Sequence, residues 1–124
     1  MNDLLLKQYI GLIECNNEEI SILANTSAFI MQNFQDISWA GFYLFKNNEL
    51  ILGPFQGKIA CTNIPLDKGV CGKAASTRKT VIVEDVHQFA GHIACDSESN
   101  SEIVIPLIKG NQLYGVLDLS LIHI

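Results

Sequence analysis

Between Asp85 and Glu102 the chain gathers one cysteine (Cys95), two histidines (His87 and His92) and four carboxylates (Asp85, Asp96, Glu98 and Glu102). Three chemistries use such a set. A thiol beside a protonated imidazole ionises more readily than a free cysteine, whose pKa is ~8.5, and becomes a nucleophile. A cysteine and a histidine with an orienting Asp96 or Asn100 would outline a thiol hydrolase. Cys61, Cys71, His87, His92 and Cys95 supply enough donors for tetrahedral zinc, although none of the cysteines has the close spacing of structural zinc sites. The working expectation is a catalytic thiol at Cys95.

The other cysteines bear on which chemistry applies. A thiol that is oxidised during turnover needs a second thiol to resolve it, whereas a hydrolase does not. Cys61 and Cys71 both lie at the ends of irregular segments, near Gly57, Gly69 and Gly72. Cys71 also opens a predicted helix, where a helix N-terminus favours the thiolate. Free cysteines equally serve as small apolar core residues, and Cys15 is read that way.

One further carboxylate, Asp118, completes the set. Glu102 opens one strand of a predicted C-terminal hairpin and Asp118 ends its partner, so antiparallel pairing brings them to one end of the sheet. With an aromatic face from Trp39 and Tyr43 nearby, they would suit a small cation such as an amino group.

The elements that must position these residues follow from periodicity. Helical spacing of apolar residues predicts helices over 4–13 and 17–34, the second capped at Asn17-Glu18-Glu19. From Ile37 the period becomes two, with Trp39, Gly41, Tyr43 and Phe45 on one face and Ala40, Phe42 and Leu44 on the other. Both faces are apolar, which predicts a central strand covered on both sides. It returns as a hairpin over 50–57. An extended segment over 58–64 carries Cys61, a helix spans 70–77, a strand spans 80–84, and a second hairpin pairs 102–108 with 113–119. This order predicts an α+β fold, an antiparallel sheet flanked by helices.

Composition narrows the function class. At 124 residues, 48% hydrophobic and 17% charged, the chain is one globular domain. Its net charge of -5, with eight scattered Lys and Arg, argues against nucleic acid and anionic membrane surfaces as partners. No apolar run approaches the ~18 residues of a membrane span. No basic leader or cleavage signal precedes the first helix, and four dispersed cysteines are not a secreted disulfide framework. These features read as cytoplasmic.

Several runs then resemble one family. They are Trp39-Ala40-Gly41-Phe42-Tyr43-Leu44, Leu52 to Cys61, Gly69-Val70-Cys71-Gly72, Glu84 to His87, Gly91 to Asp96, Ser99 to Val104 and Gly115-Val116-Leu117-Asp118. Together they resemble the free methionine-(R)-sulfoxide reductases, which are GAF-domain proteins. The resemblance implies a GAF-like catalytic domain over 1–118. It implies Cys95 as the attacking thiol, Cys61 as the main resolving thiol and Cys71 as a further redox cysteine. Trp39 and Tyr43 would line the pocket, and Glu102 and Asp118 would hold the substrate ammonium group. No cofactor or metal is implied beyond an external reductant of thioredoxin type, and the intact protein would be a homodimer. A non-catalytic GAF module binding an amino-acid-like ligand is the alternative.

The chain departs from the family after Asp118. Family members continue with a hydrophobic residue, a second Asp and a Ser, then a C-terminal helix. Here Leu119-Ser120-Leu121-Ile122-His123-Ile124 follows, with Ser120 in the second acidic position. That stretch matches what a sequencing-adapter string encodes, so 119–124 is expected to be a non-native tail and the C-terminal helix to be missing.

Overall fold

Aromatic and small residues alternating along β1 (Ile37–Lys46) make it the strand on which the molecule is built. In the computed structural model, which describes residues 2–15, 17–88 and 100–122, five further strands flank it. They are β2 (Glu49–Gln56), β3 (Asn63–Pro65), β4 (Val81–Val83), β5 (Ser101–Lys109) and β6 (Gln112–Leu121). The sheet order is β3-β2-β1-β6-β5-β4, and every described pairing is antiparallel. The predicted α+β architecture is therefore the observed one, a six-stranded antiparallel sheet with helices α1 (Asp3–Glu14), α2 (Glu19–Asn33) and α3 (Gly69–Thr77).

The helices take opposite sides of the sheet. Helix α2 packs on β1 and β2, and α3 packs on β5 and β6. Ser27, in the middle of α2, is fully buried and donates to the Leu23 and Pro54 carbonyls, which pins the helix to β2. Helix α1 rides on α2 through Tyr9, whose hydroxyl meets Thr26 Oγ1 at 2.9 Å and whose ring packs against Phe29. The core lies between the sheet and α3. Leu50, Val104, Val116 and Ala74 are fully enclosed there beside Trp39, Tyr43, Val70 and Cys71. Burying each aliphatic side chain of this size contributes ~1.5–3 kcal/mol. Gly72 lets α3 sit close, because a Cβ there would lie 2.7 Å from the Pro65 carbonyl oxygen.

Four local expectations are corrected. The cap of α2 is Glu18, which makes no capping side-chain bond, rather than Asn17. Of the extended segment expected over 58–64, only Asn63 and Ile64 are strand, within β3. The loop expected after β4 contains a 3-10 turn at Val86–Gln88. Asp118 does not end its strand: β6 continues to Leu121, with Leu119, Ser120 and Leu121 paired to both β1 and β5. The alternation explains this, since Asp118 and Ser120 are buried while Leu119 and Leu121 remain half-exposed on the opposite face.

Candidate active site

Register collects the chemistry on the α3 side of the sheet. Directly paired residues of antiparallel strands point the same way, so one row across three strands reads Trp39, Ser120, Glu102 and the next reads Gly41, Asp118, Val104. Glu102 and Asp118 are thus diagonal neighbours, one row apart. Trp39 stacks on Phe55 at 5.2 Å and on Tyr43 at 6.0 Å. The aromatic stack needs Gly41 beneath it. A Cβ there would come within 2.3 Å of Phe55 Cβ and 2.8 Å of Trp39 Cη2.

Helix α3 lowers Cys71 onto the carboxylates. Its Sγ lies 3.2 Å from Asp118 Oδ2 and 3.9 Å from Glu102 Oε2, with Cys71 and Asp118 both buried. Among the described residues this is the one group of three donors close enough together to share a metal ion.

Burial dominates the electrostatics of the site. Burial pushes the Cys71 thiol well up, and the two neighbouring carboxylates add to that, so the start of α3 does not make it a thiolate. Burial also raises Asp118, against hydrogen bonds from Glu102 and Cys71 that pull it down. Asp118 Oδ1 has no hydrogen-bond partner among the described residues, which leaves a buried acceptor without a donor. Tyr43 is likewise raised, first by burial and then by Cys71, Asp118 and Glu102, so it stays a phenol.

Both aromatic donors reach the segment that carries Cys61. Trp39 Nε1–H donates to the Lys58 carbonyl at 3.0 Å, and the Tyr43 hydroxyl donates to the Cys61 carbonyl at 2.9 Å. Sequence reasoning treated both rings as wall and missed these bonds, because a backbone acceptor has no residue-type signature. Cys61 is disulfide-bonded, and Cys15 and Cys71 are free thiols. Cys95 and His92, with the rest of 89–99, lie outside the described residues, as do His123 and Ile124. The chain on the two sides of 89–99 is joined by a hydrogen bond from Val86 N–H to the Asn100 carbonyl at 2.9 Å, two residues before Glu102.

A sheet with this strand order and these helices defines a class, and the family model described as the GAF domain matches residues 18–121. A free methionine-R-sulfoxide reductase of Escherichia coli (strain K12) is 51% identical over 115 residues, covering 93% of this chain and 70% of that protein. The reduced form of fRMsr of Staphylococcus aureus is 55% identical with a TM-score of 0.93, covering 97% of this chain and 78% of that one. The free methionine-R-sulfoxide reductase of Neisseria meningitidis, solved in complex with its substrate, is 43% identical with a TM-score of 0.93, covering 97% and 72%. The chain belongs to the GAF-domain family of free methionine-R-sulfoxide reductases, a family of enzymes.

Proposed function

We propose that this chain reduces free L-methionine-(R)-sulfoxide to methionine by thiol chemistry. The observation that carries the reading is the Glu102–Asp118 pair on the same sheet face as the Trp39–Tyr43 stack. A zwitterionic amino acid with an apolar, polarised side chain suits such a surface: its ammonium group pairs with the carboxylates and its methyl lies on the rings. The names of the E. coli and N. meningitidis relatives support the same substrate.

In this reading Cys95 attacks the sulfoxide sulfur as the thiolate. The oxygen takes a proton, for which Asp118, whose carboxyl burial raises, is the source in this reading, and the substrate's S–O bond breaks as methionine leaves with its sulfur reduced. The hydroxyl passes to the Cys95 sulfur, which is left as sulfenic acid. Cys61 condenses with it, giving a disulfide and water, and a thioredoxin-type reductant reopens the disulfide by exchange. That Cys61 is disulfide-bonded while Cys15 and Cys71 are free supports Cys61 as the resolving thiol. Cys71, neutral and bonded to Asp118, serves the carboxylate pair in the first instance. No resident cofactor enters this reading. Homodimeric assembly and a cytoplasmic location belong to it as well. They are checked by light scattering and by cell fractionation.

The test is a thiol count. Reduced protein given the R epimer releases one methionine and loses two thiols for each turnover. A ligand-binding module releases none and loses none. Methionine release from a Cys95→Ser variant would remove Cys95 from the role of nucleophile.

A further inference from the structure

Trp39 and Tyr43 do more than form a wall. Four residues apart on one face of β1, their polar ends donate to the carbonyls of Lys58 and Cys61, the two ends of one short stretch. That stretch runs between β2 and β3 outside any strand, and Ile59 within it is 90% exposed. Beyond it, Leu52 N–H donates to the Thr62 carbonyl at 2.9 Å, where pairing with β2 resumes. Both donors sit on buried rings, which hold them in fixed directions through mutual stacking and through Phe55. Gly57 opens the approach. Its φ is +133°, and a Cβ there would lie 2.6 Å from Trp39 Cδ1.

We propose that Trp39 and Tyr43 are positioning residues for Cys61, holding its backbone at a set height over the sheet so that its thiol meets the oxidised partner without a search. The inference rests on the reading of Cys61 as the resolving thiol. A loose stretch must be ordered at the moment the disulfide closes, at a cost of ~1–2 kcal/mol for each residue fixed. A stretch tied at both ends in the dithiol, as it is here with Cys61 disulfide-bonded, has much of that ordering done beforehand, which raises the effective concentration of its thiol. In the step itself the Cys61 sulfur bonds to the sulfenic sulfur of Cys95 and the S–O bond breaks. The departing hydroxyl takes the Cys61 proton as water. Trp39 and Tyr43 act on this step through the main chain.

Tyr43→Phe keeps the ring and removes the donor; Trp39→Phe removes the donor at the other end together with part of the ring system. Rapid-quench measurements on the reduced protein would follow methionine release and, with a sulfenic-acid trap, disulfide formation. The expected result is that the ratio of disulfide formation to methionine release falls about five-fold in Tyr43→Phe, the effect of one net hydrogen bond, and falls in Trp39→Phe also. A general loosening of the site would slow both steps together, and an unchanged ratio in Tyr43→Phe overturns the proposal. Equilibration of the Cys61 disulfide with a glutathione buffer gives an independent reading, with Tyr43→Phe expected to favour the dithiol by about five-fold. If the wild type releases no methionine, the reductase reading fails. The clamp is then decided by the glutathione equilibrium alone, which an unshifted Tyr43→Phe would overturn.

Discussion

Cys71 gives its thiol proton to a hydrogen bond with Asp118, 3.2 Å away and 47 residues further along the chain. Helix and strand meet at that contact, and the site's charge balance is set there. Burial raises both groups; the neighbouring carboxylates push the thiol up further, while the hydrogen bonds from Glu102 and Cys71 pull Asp118 back down.

The raised Asp118 makes stability depend on pH. The folded chain keeps a proton that the unfolded chain, with an ordinary aspartate value of 3.8, releases. The stabilisation from Asp118 is therefore complete below that value and is lost as pH rises through the raised one. Asp118→Asn cannot ionise and keeps the size and shape of the carboxyl. Its melting temperature should gain on the wild type by about 4 °C or more between about pH 4 and pH 7.5. A gap that stays constant over this range would mean that Asp118 titrates normally.

The same burial should protect Cys71 chemically. With the protein reduced and iodoacetamide added near neutral pH, exposed Cys15 should be alkylated at least about ten-fold faster than Cys71. Peptide mass spectrometry over a time course reads both sites in one sample. Comparable rates would show that the Cys71 thiol is open to solvent.

Glu102 should matter for binding more than for the chemical step. Glu102→Gln removes the charge proposed to pair with the substrate ammonium group and should raise KM by about 30-fold, roughly 2 kcal/mol, with a smaller change in kcat. A sulfoxide lacking the amino group should be turned over about equally by both proteins. If the variant loses as much on that analogue, Glu102 acts on something other than the ammonium group.

Gly41 is the steric keystone of the aromatic stack. Gly41→Ala would place a methyl 2.3 Å from Phe55 Cβ, against backbone-anchored atoms that have little room to yield. Overpacking of this kind costs ~2 kcal/mol or more and should lower the melting temperature by about 10 °C. A neutral Gly41→Ala would mean that the stack repacks freely.

Much of the frame was legible because it is written in short-range pattern. The two-residue alternation over 37–46 announced β1, and the apolar runs on either side of Lys109–Gln112 announced the last hairpin. What was missed depends on longer distances. Nothing in the sequence around Cys71 says that a carboxylate 47 residues away will accept its proton, so its place at a helix start suggested a readier thiolate than burial permits. The bonds to the Lys58 and Cys61 carbonyls are equally silent, since every residue carries a carbonyl. The strand end was misjudged for a different reason. The family pattern breaks after Asp118, but the in-out alternation that holds a strand continues to Leu121.

The sheet order carries one more consequence, for how the molecule comes together. β6 follows every other described strand in sequence, yet it lies between β1 and β5. Until residues 112–121 are available, β1 with β2 and β3 has no hydrogen-bonded connection to β5 and β4. On a ribosome the two halves must wait as separate hairpin-sized pieces with their inner edges unpaired, and the sheet closes in a late, long-range step. The strand that joins them also brings Asp118 to Cys71, so the acid site and the continuous sheet arise in a single event.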